Sequence, residues 1–147
     1  MQLKNSFALL LSAFMMFSST SIPASAETTT YALNEGIAPA YEYADTAKSM
    51  LYISSNSAEC ISRCTSSSYV VKITVEQTLQ KFRGLWVWND VDGASWTVTE
   101  RGSSIYSVNT KNGLANGTYR VKSVFTLTSS SGKTETITIY SEEETVS

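Results

Sequence analysis

Gly117-Thr118-Tyr119-Arg120-Val121-Lys122-Ser123-Val124-Phe125-Thr126-Leu127-Thr128 is the stretch whose reading decides the fold. Tyr119, Val121, Ser123, Phe125 and Leu127 share one face, and Arg120, Lys122, Thr126 and Thr128 share the other. A period of two with one apolar face is the pattern of a strand that packs on one side and meets water on the other. Working outward, the same period recurs at Val70–Phe82. There Val71, Ile73, Val75 and Leu79 are expected to point inward, and Lys72, Thr74, Glu76, Thr78 and Gln80 outward. Met50–Ile53, Ala58–Ser66, Leu85–Asn89, Ala94–Glu100, Ser104–Thr110 and Lys133–Tyr140 read as further strands. Breaks and turn chemistry fall between them: Asn56-Ser57, Arg83-Gly84, Asp92-Gly93 (a tight hairpin signal), Gly102, Asn112-Gly113, Asn116-Gly117 and Ser129–Gly132. No helical period breaks the series. Strands that each carry one apolar face must stack as two sheets or close into a barrel.

The N-terminus reads differently. Lys4 precedes an apolar run, Phe7 to Phe17, followed by Pro23 and then Ala24-Ser25-Ala26. Eleven helical residues rise only about 16 Å, too short for a hydrocarbon core about 30 Å thick. Residues 1–26 are therefore expected to be an export signal removed between Ala26 and Glu27. Residues 27–46 read as a polar leader, 47–141 as the domain and 142–147 as an acidic tail. Tyr41 and Tyr43 in the leader are placed to pack on the domain edge. The expected location is secreted or extracellular, with no membrane span in the mature chain. Ten basic and thirteen acidic residues follow Ala26, a net charge of about −3, which does not favour nucleic acid as a partner.

Several blocks carry a resemblance: Leu51–Cys60 (LYISSNSAEC), Lys72–Lys81 (KITVEQTLQK), Trp96–Ser104 (WTVTERGSS), Gly117–Leu127 (GTYRVKSVFTL) and Glu135–Ser141 (ETITIYS). In this order they resemble a family of small secreted immunoglobulin-like domains of unknown function from Gram-positive, clostridia-like bacteria. The resemblance spans about residues 40–141. It implies export and an all-β, antiparallel immunoglobulin- or fibronectin-like sandwich of seven or eight strands. It supplies no reaction or ligand. Two stretches depart from the family pattern: Asp90–Gly93 is longer, and Cys64 stands where a valine-like residue is expected. Within this frame Tyr119 is expected to form a tyrosine corner, bonding back to the Asn112–Asn116 loop.

The chemistry is limited by what the chain lacks. It contains no histidine, which removes the usual base for a serine or cysteine nucleophile and the commonest metal ligand. Cys60 and Cys64, four apart on an extended strand, would hold their Cα atoms about 13 Å apart, beyond disulfide reach. Two buried free thiols are the expectation. Asp90 and Asp92 read as turn residues, and no catalytic residue, metal ligand or cofactor is assigned. Trp86 and Trp88 alternate around Val87, with Trp96 beyond Asp92-Gly93. These three indoles either fill one end of the core or form a face for a sugar ring or a peptide, and they are the candidate ligand-binding residues. Arg120, Lys122 and Lys72 read as a solvated basic face. A non-enzymatic binding module is expected, with a cell-envelope glycan or protein as partner. The alternatives are a small extracellular hydrolase using two of Asp90, Asp92, Glu100, Glu76 and Glu59, or a protein that self-associates through edge strands or Met50, Tyr52 and Tyr69.

Overall fold

A computed structural model describes residues 28–30 and 40–147. The expected signal segment and its cleavage point lie outside the described residues. Among the described residues the chain forms β1 (Thr28–Thr30), β2 (Ala44–Ser54), β3 (Ser57–Ser66), β4 (Val70–Phe82), β5 (Trp88–Arg101), β6 (Ser104–Lys111), β7 (Gly117–Ser129), β8 (Thr134–Tyr140) and β9 (Glu144–Val146). One sheet runs β2-β3-β6, and the other β1-β8-β7-β4-β5, with β9 pairing with the start of β7. Of the seven main strands, the first, second and fifth face the third, fourth, sixth and seventh. That partition defines an immunoglobulin- or fibronectin-like sandwich. All pairings are antiparallel except β1 with β8.

The inward residues are those the two-residue period selects. Ala58, Cys60, Ser62 and Cys64 on β3 are fully buried, as are Ile73, Val75 and Leu79 on β4 and Val121, Phe125 and Leu127 on β7. Val71 is the exception: a register shift between Val70 and Lys72 turns Val70 inward and leaves Val71 46% exposed. The core divides into two clusters. One gathers Ile73, Val75, Phe125, Leu127, Ile137 and Ile139, and the other Leu51, Leu79, Leu114, Tyr119, Val121 and Val146. Between them lies a row of buried polar side chains contributed by both sheets. Ser49, Ser62 and Ser107 are cross-strand partners in one sheet, and Gln77 and Ser123 in the other.

The structured part of the domain reaches past the stretch read from the period alone. Within the polar leader, β2 begins at Ala44 and β1 pairs with β8. The start of β2 is held by Glu135 on β8, whose carboxylate accepts backbone N–H bonds from Glu42 (2.7 Å), Tyr43 (2.9 Å) and Ala44 (3.2 Å). Tyr41 and Tyr43 pack against the first cluster, at the domain edge as expected. The acidic tail likewise contains β9, where Val146 is buried against the second cluster.

The region from Leu85 to Glu100 also differs from its sequence reading. Asp92-Gly93 does not turn the chain. A single strand, β5, runs through it, with residues 91–94 standing opposite the lone Leu79 between the pairs Thr78–Ser95 and Gln80–Asp90. Gly93 takes the left-handed backbone (φ 66°) that this bulge requires, while Ala94 is fully buried and Val91 packs on the core. The hairpin lies earlier, at Gly84–Val87, where Val87 N–H donates to Gly84 O (2.9 Å) and Arg83 N–H to Val87 O (2.8 Å).

Candidate functional site

The β4–β5 hairpin is closed by residues that turn chemistry disfavours. Gly84, Leu85 and Trp86 all have positive φ, at 86°, 49° and 65°. Two left-handed central residues make a turn of type I′ hand, normally built from Asn-Gly or Asp-Gly because a side chain with a Cβ strains there. Here the two places hold large apolar residues, each 92% exposed. Val87 and Phe82 at the base of the loop are also exposed.

This geometry separates the three tryptophans. Trp86 stands at the hairpin tip. Trp88 begins β5 on the outer face of the large sheet, its ring 5.2 Å from that of Phe82. Trp96 points inward, partly buried against the second core cluster. The expectation of one converging indole face is therefore corrected. It assumed an unbroken period of two through Trp86, whereas the left-handed turn and the bulge each shift the register. Trp86 and Trp88 remain neighbours at one end of the molecule, and Trp96 belongs to the core.

Beside Trp88 the structure builds something the sequence reading missed. Arg120, on β7, lays its guanidinium between a ring from β5 and a ring from β8, with its central carbon 4.1 Å from both the Trp88 and Tyr140 centroids. Its Nε donates to Gln80 Oε1 (3.0 Å), and Gln80 Nε2 donates to Asp90 Oδ1 (2.8 Å). No other side chain among the described residues takes up the terminal guanidinium nitrogens. Partial burial lowers the Arg120 pKa from the usual arginine value, and Tyr140 and Glu143 act in the opposite sense. The cation stays charged, stacked on two rings and fixed at one nitrogen, which suits it to meet a carboxylate with its free edge. The available signal was the cross-strand row joining Gln80 to Arg120, which requires knowing which strands pair.

Two of the five candidate carboxylates share a cleft. Asp90 and Asp92 line a cleft of about 270 Å³ together with Lys81, Arg83 and Lys111. Glu59 lies on the outer face of the small sheet, Glu76 on the outer face of the large one, and Glu100 at the far end of β5 from Asp90. Among the described residues no group of three or more metal-ligating side chains occurs.

Cys60 and Cys64 are free, buried thiols. Burial, with Glu59 adding a smaller effect, pushes the Cys60 pKa up to about 12, and burial with Glu135 and Asp45 does the same for Cys64. A thiol held protonated in an apolar core is a packing group and a poor nucleophile. Tyr119 is 2% exposed, and its hydroxyl donates to Ala115 O at 2.6 Å. That is the tyrosine corner expected from its position, and it braces the loop under the second core cluster.

Fold and site together define an immunoglobulin-like sandwich that carries an apolar hairpin tip beside a stacked arginine. No family model matches the chain, and no curated protein is significantly similar to it.

Proposed function

We propose that this chain is an exported, non-enzymatic binding module whose contact surface is the β4–β5 hairpin tip and the adjoining Trp88–Arg120–Tyr140 stack. The observation that carries this reading is the placement of Leu85 and Trp86, both 92% exposed, on left-handed backbone. Positive φ at bulky residues costs of order 1–3 kcal/mol each, and large apolar groups at a tip gain nothing from solvent. Such a loop persists where a partner covers it. The ligand class that suits the surface is a carboxylate-bearing glycopeptide of the cell envelope. Aromatic faces stack on sugar rings, and the guanidinium pairs with the carboxylate. The signal-like residues 1–26 and the family resemblance support the extracellular location.

Titration calorimetry of the mature chain with soluble peptidoglycan fragments tests the reading, with neutral N-acetylglucosamine oligosaccharides as the comparison. The expected result is saturable binding to the acidic fragments and weaker binding to the neutral sugars. Trp86→Ala should cost about 2 kcal/mol of affinity, the scale of a buried aromatic anchor. Arg120→Gln should abolish the preference for acidic fragments. Absence of binding, or variants that bind like the parent, would sink the proposal. The export half is checked by intact mass of the protein from culture medium, which should begin at Glu27.

A further inference from the structure

The outer face of the small sheet has a pattern that the proposed ligand surface does not use. The cross-strand pairs of β2, β3 and β6 arrange its outward side chains in rows. Thr46, Thr65 and Ser104 make one row. Next come Lys48, Arg63 and Tyr106, then Met50, Ile61 and Val108, and then Tyr52, Glu59 and Thr110. Ser54 and Ser57 close the series. An apolar row thus occupies the middle, with a cationic row on one side, a row containing a carboxylate on the other, and small hydroxyl residues at both ends. Tyr52 (56% exposed), Tyr106 (63%) and Val108 (42%) are open to solvent, while Ile61 is covered. Lys48, Arg63 and Glu59 have no ion-pair partner within the described residues.

We propose that this face is a docking surface for a second copy of the chain, related by a two-fold axis that lies between the sheets and crosses the strands at Ile61. That operation sets each row against its mirror row. Met50 and Val108 meet themselves on either side of the covered Ile61, Arg63 meets Glu59 of the other copy, Lys48 meets the Tyr52 ring, and the hydroxyl rows meet each other. An isologous contact has to be self-complementary in this way. The other face-to-face two-fold, with its axis along the strands, sets Arg63 against Arg63 and Glu59 against Glu59, and like charges opposed across an interface exclude it. Stacked sheets turn by about 30° relative to one another, which leaves the central row in contact and the paired charges within reach of their long side chains. Charge complementarity therefore selects both the occupant and the axis.

The face measures about 33 by 14 Å from strand rise and spacing, roughly 450 Å² a side, below the roughly 800 Å² of a standard interface. The dimer is accordingly weak, with a dissociation constant on the order of 10–500 µM, and it forms where the protein is concentrated on a surface.

Sedimentation equilibrium of the mature chain from about 5 µM to 1 mM tests the proposal. The parent should shift from monomer to dimer without larger species, because a closed two-fold stops at two. Glu59→Arg and Arg63→Glu should each weaken association at least tenfold, and the double variant, which restores both pairs, should recover to within about threefold of the parent. Both substituted positions, Glu59 and Arg63, are on the exposed face, and matching urea melts confirm that the three variants fold. A parent that stays monomeric at 1 mM, whatever else the face binds, overturns the proposal. So does a double variant no better than the singles.

Discussion

Tyr119 shows how much a single residue can settle. Its place was readable because three local signals agree: the Asn116-Gly117 turn before it, the period of two through it, and the apolar partners Val121 and Phe125 after it. Burial of the ring and the hydroxyl bond to Ala115 follow. Tyr119→Phe removes only that bond and should cost about 1–2 kcal/mol, including the carbonyl left without a donor. Tyr119→Ala also opens a cavity and should cost about 3–5 kcal/mol, a large share of a small domain's stability. Urea melts read both, and an alanine variant as stable as the parent would contradict the corner. Trp86 is the opposite case. Nothing in its neighbours announces that it stands on left-handed backbone, because the usual occupants of that backbone are absent. Arg120 was legible as an outward residue but not as a stacked one, since its partners lie on β4, β5 and β8.

At the scale of elements, strands carried by a long alternation, β3, β4 and β7, were readable almost residue by residue, with Val71 the exception on β4. The β4–β5 pair was not. Asp92-Gly93 has the strongest turn chemistry in the region, yet it forms a bulge inside β5, and the weaker-looking Gly84-Leu85-Trp86 turns the chain. Local propensity lost to register: the bulge brings Val91 and Ala94 onto the second core cluster, and a turn there would expose them. The loop that won has bulky residues at both places where Asn-Gly would relax it. Replacing Leu85-Trp86 by Asn-Gly should therefore stabilise the domain by about 1–3 kcal/mol while abolishing the proposed envelope binding. Thermal melts paired with the calorimetric titration check this. If stability and binding fell together, the loop would be structural and its exposure without function.

For the whole molecule, periodicity narrowed the architecture to two stacked sheets or a barrel, and the layer that joins the sheets was not legible. Ser123 was legible as an inward residue of its strand, but the purpose of the buried serines shows only when the sheets are opposed. Asn109 Nδ2 donates to Gln77 Oε1 (2.9 Å) and to Ser107 Oγ (3.0 Å). Gln77 Nε2 donates to Ser62 Oγ (2.6 Å). Ser62 and Ser123 share a bond of 2.7 Å, Ser123 donates to Ser49 (2.8 Å), and Ser49 donates to Val121 O (3.3 Å). The hydroxyls of Ser62, Ser123 and Ser49 each accept one bond and donate the next, so the chain of bonds has one direction and fixes how the sheets stack. Gln77, fully buried, ties β4 to β3 and β6 across the sheets, as Ser123 ties β7 to β3 and β2. Gln77→Glu is nearly isosteric and tests this directly. The protonated acid can still accept from Asn109 and donate to Ser62, whereas the ionised form places a charge in the core and has lost its donor. Burial raises the carboxyl pKa in the folded state above its unfolded value of about 4.3. The folded state then binds the extra proton, so the variant should approach the parent's stability below pH 4. It should lose stability as pH rises, reaching a deficit of about 3–5 kcal/mol by pH 8. Urea melts of variant and parent across pH 4–8 measure the difference. A deficit independent of pH would place residue 77 where water reaches it, and its bonds to Ser62 and Asn109 would then not be what fixes the stacking of the sheets.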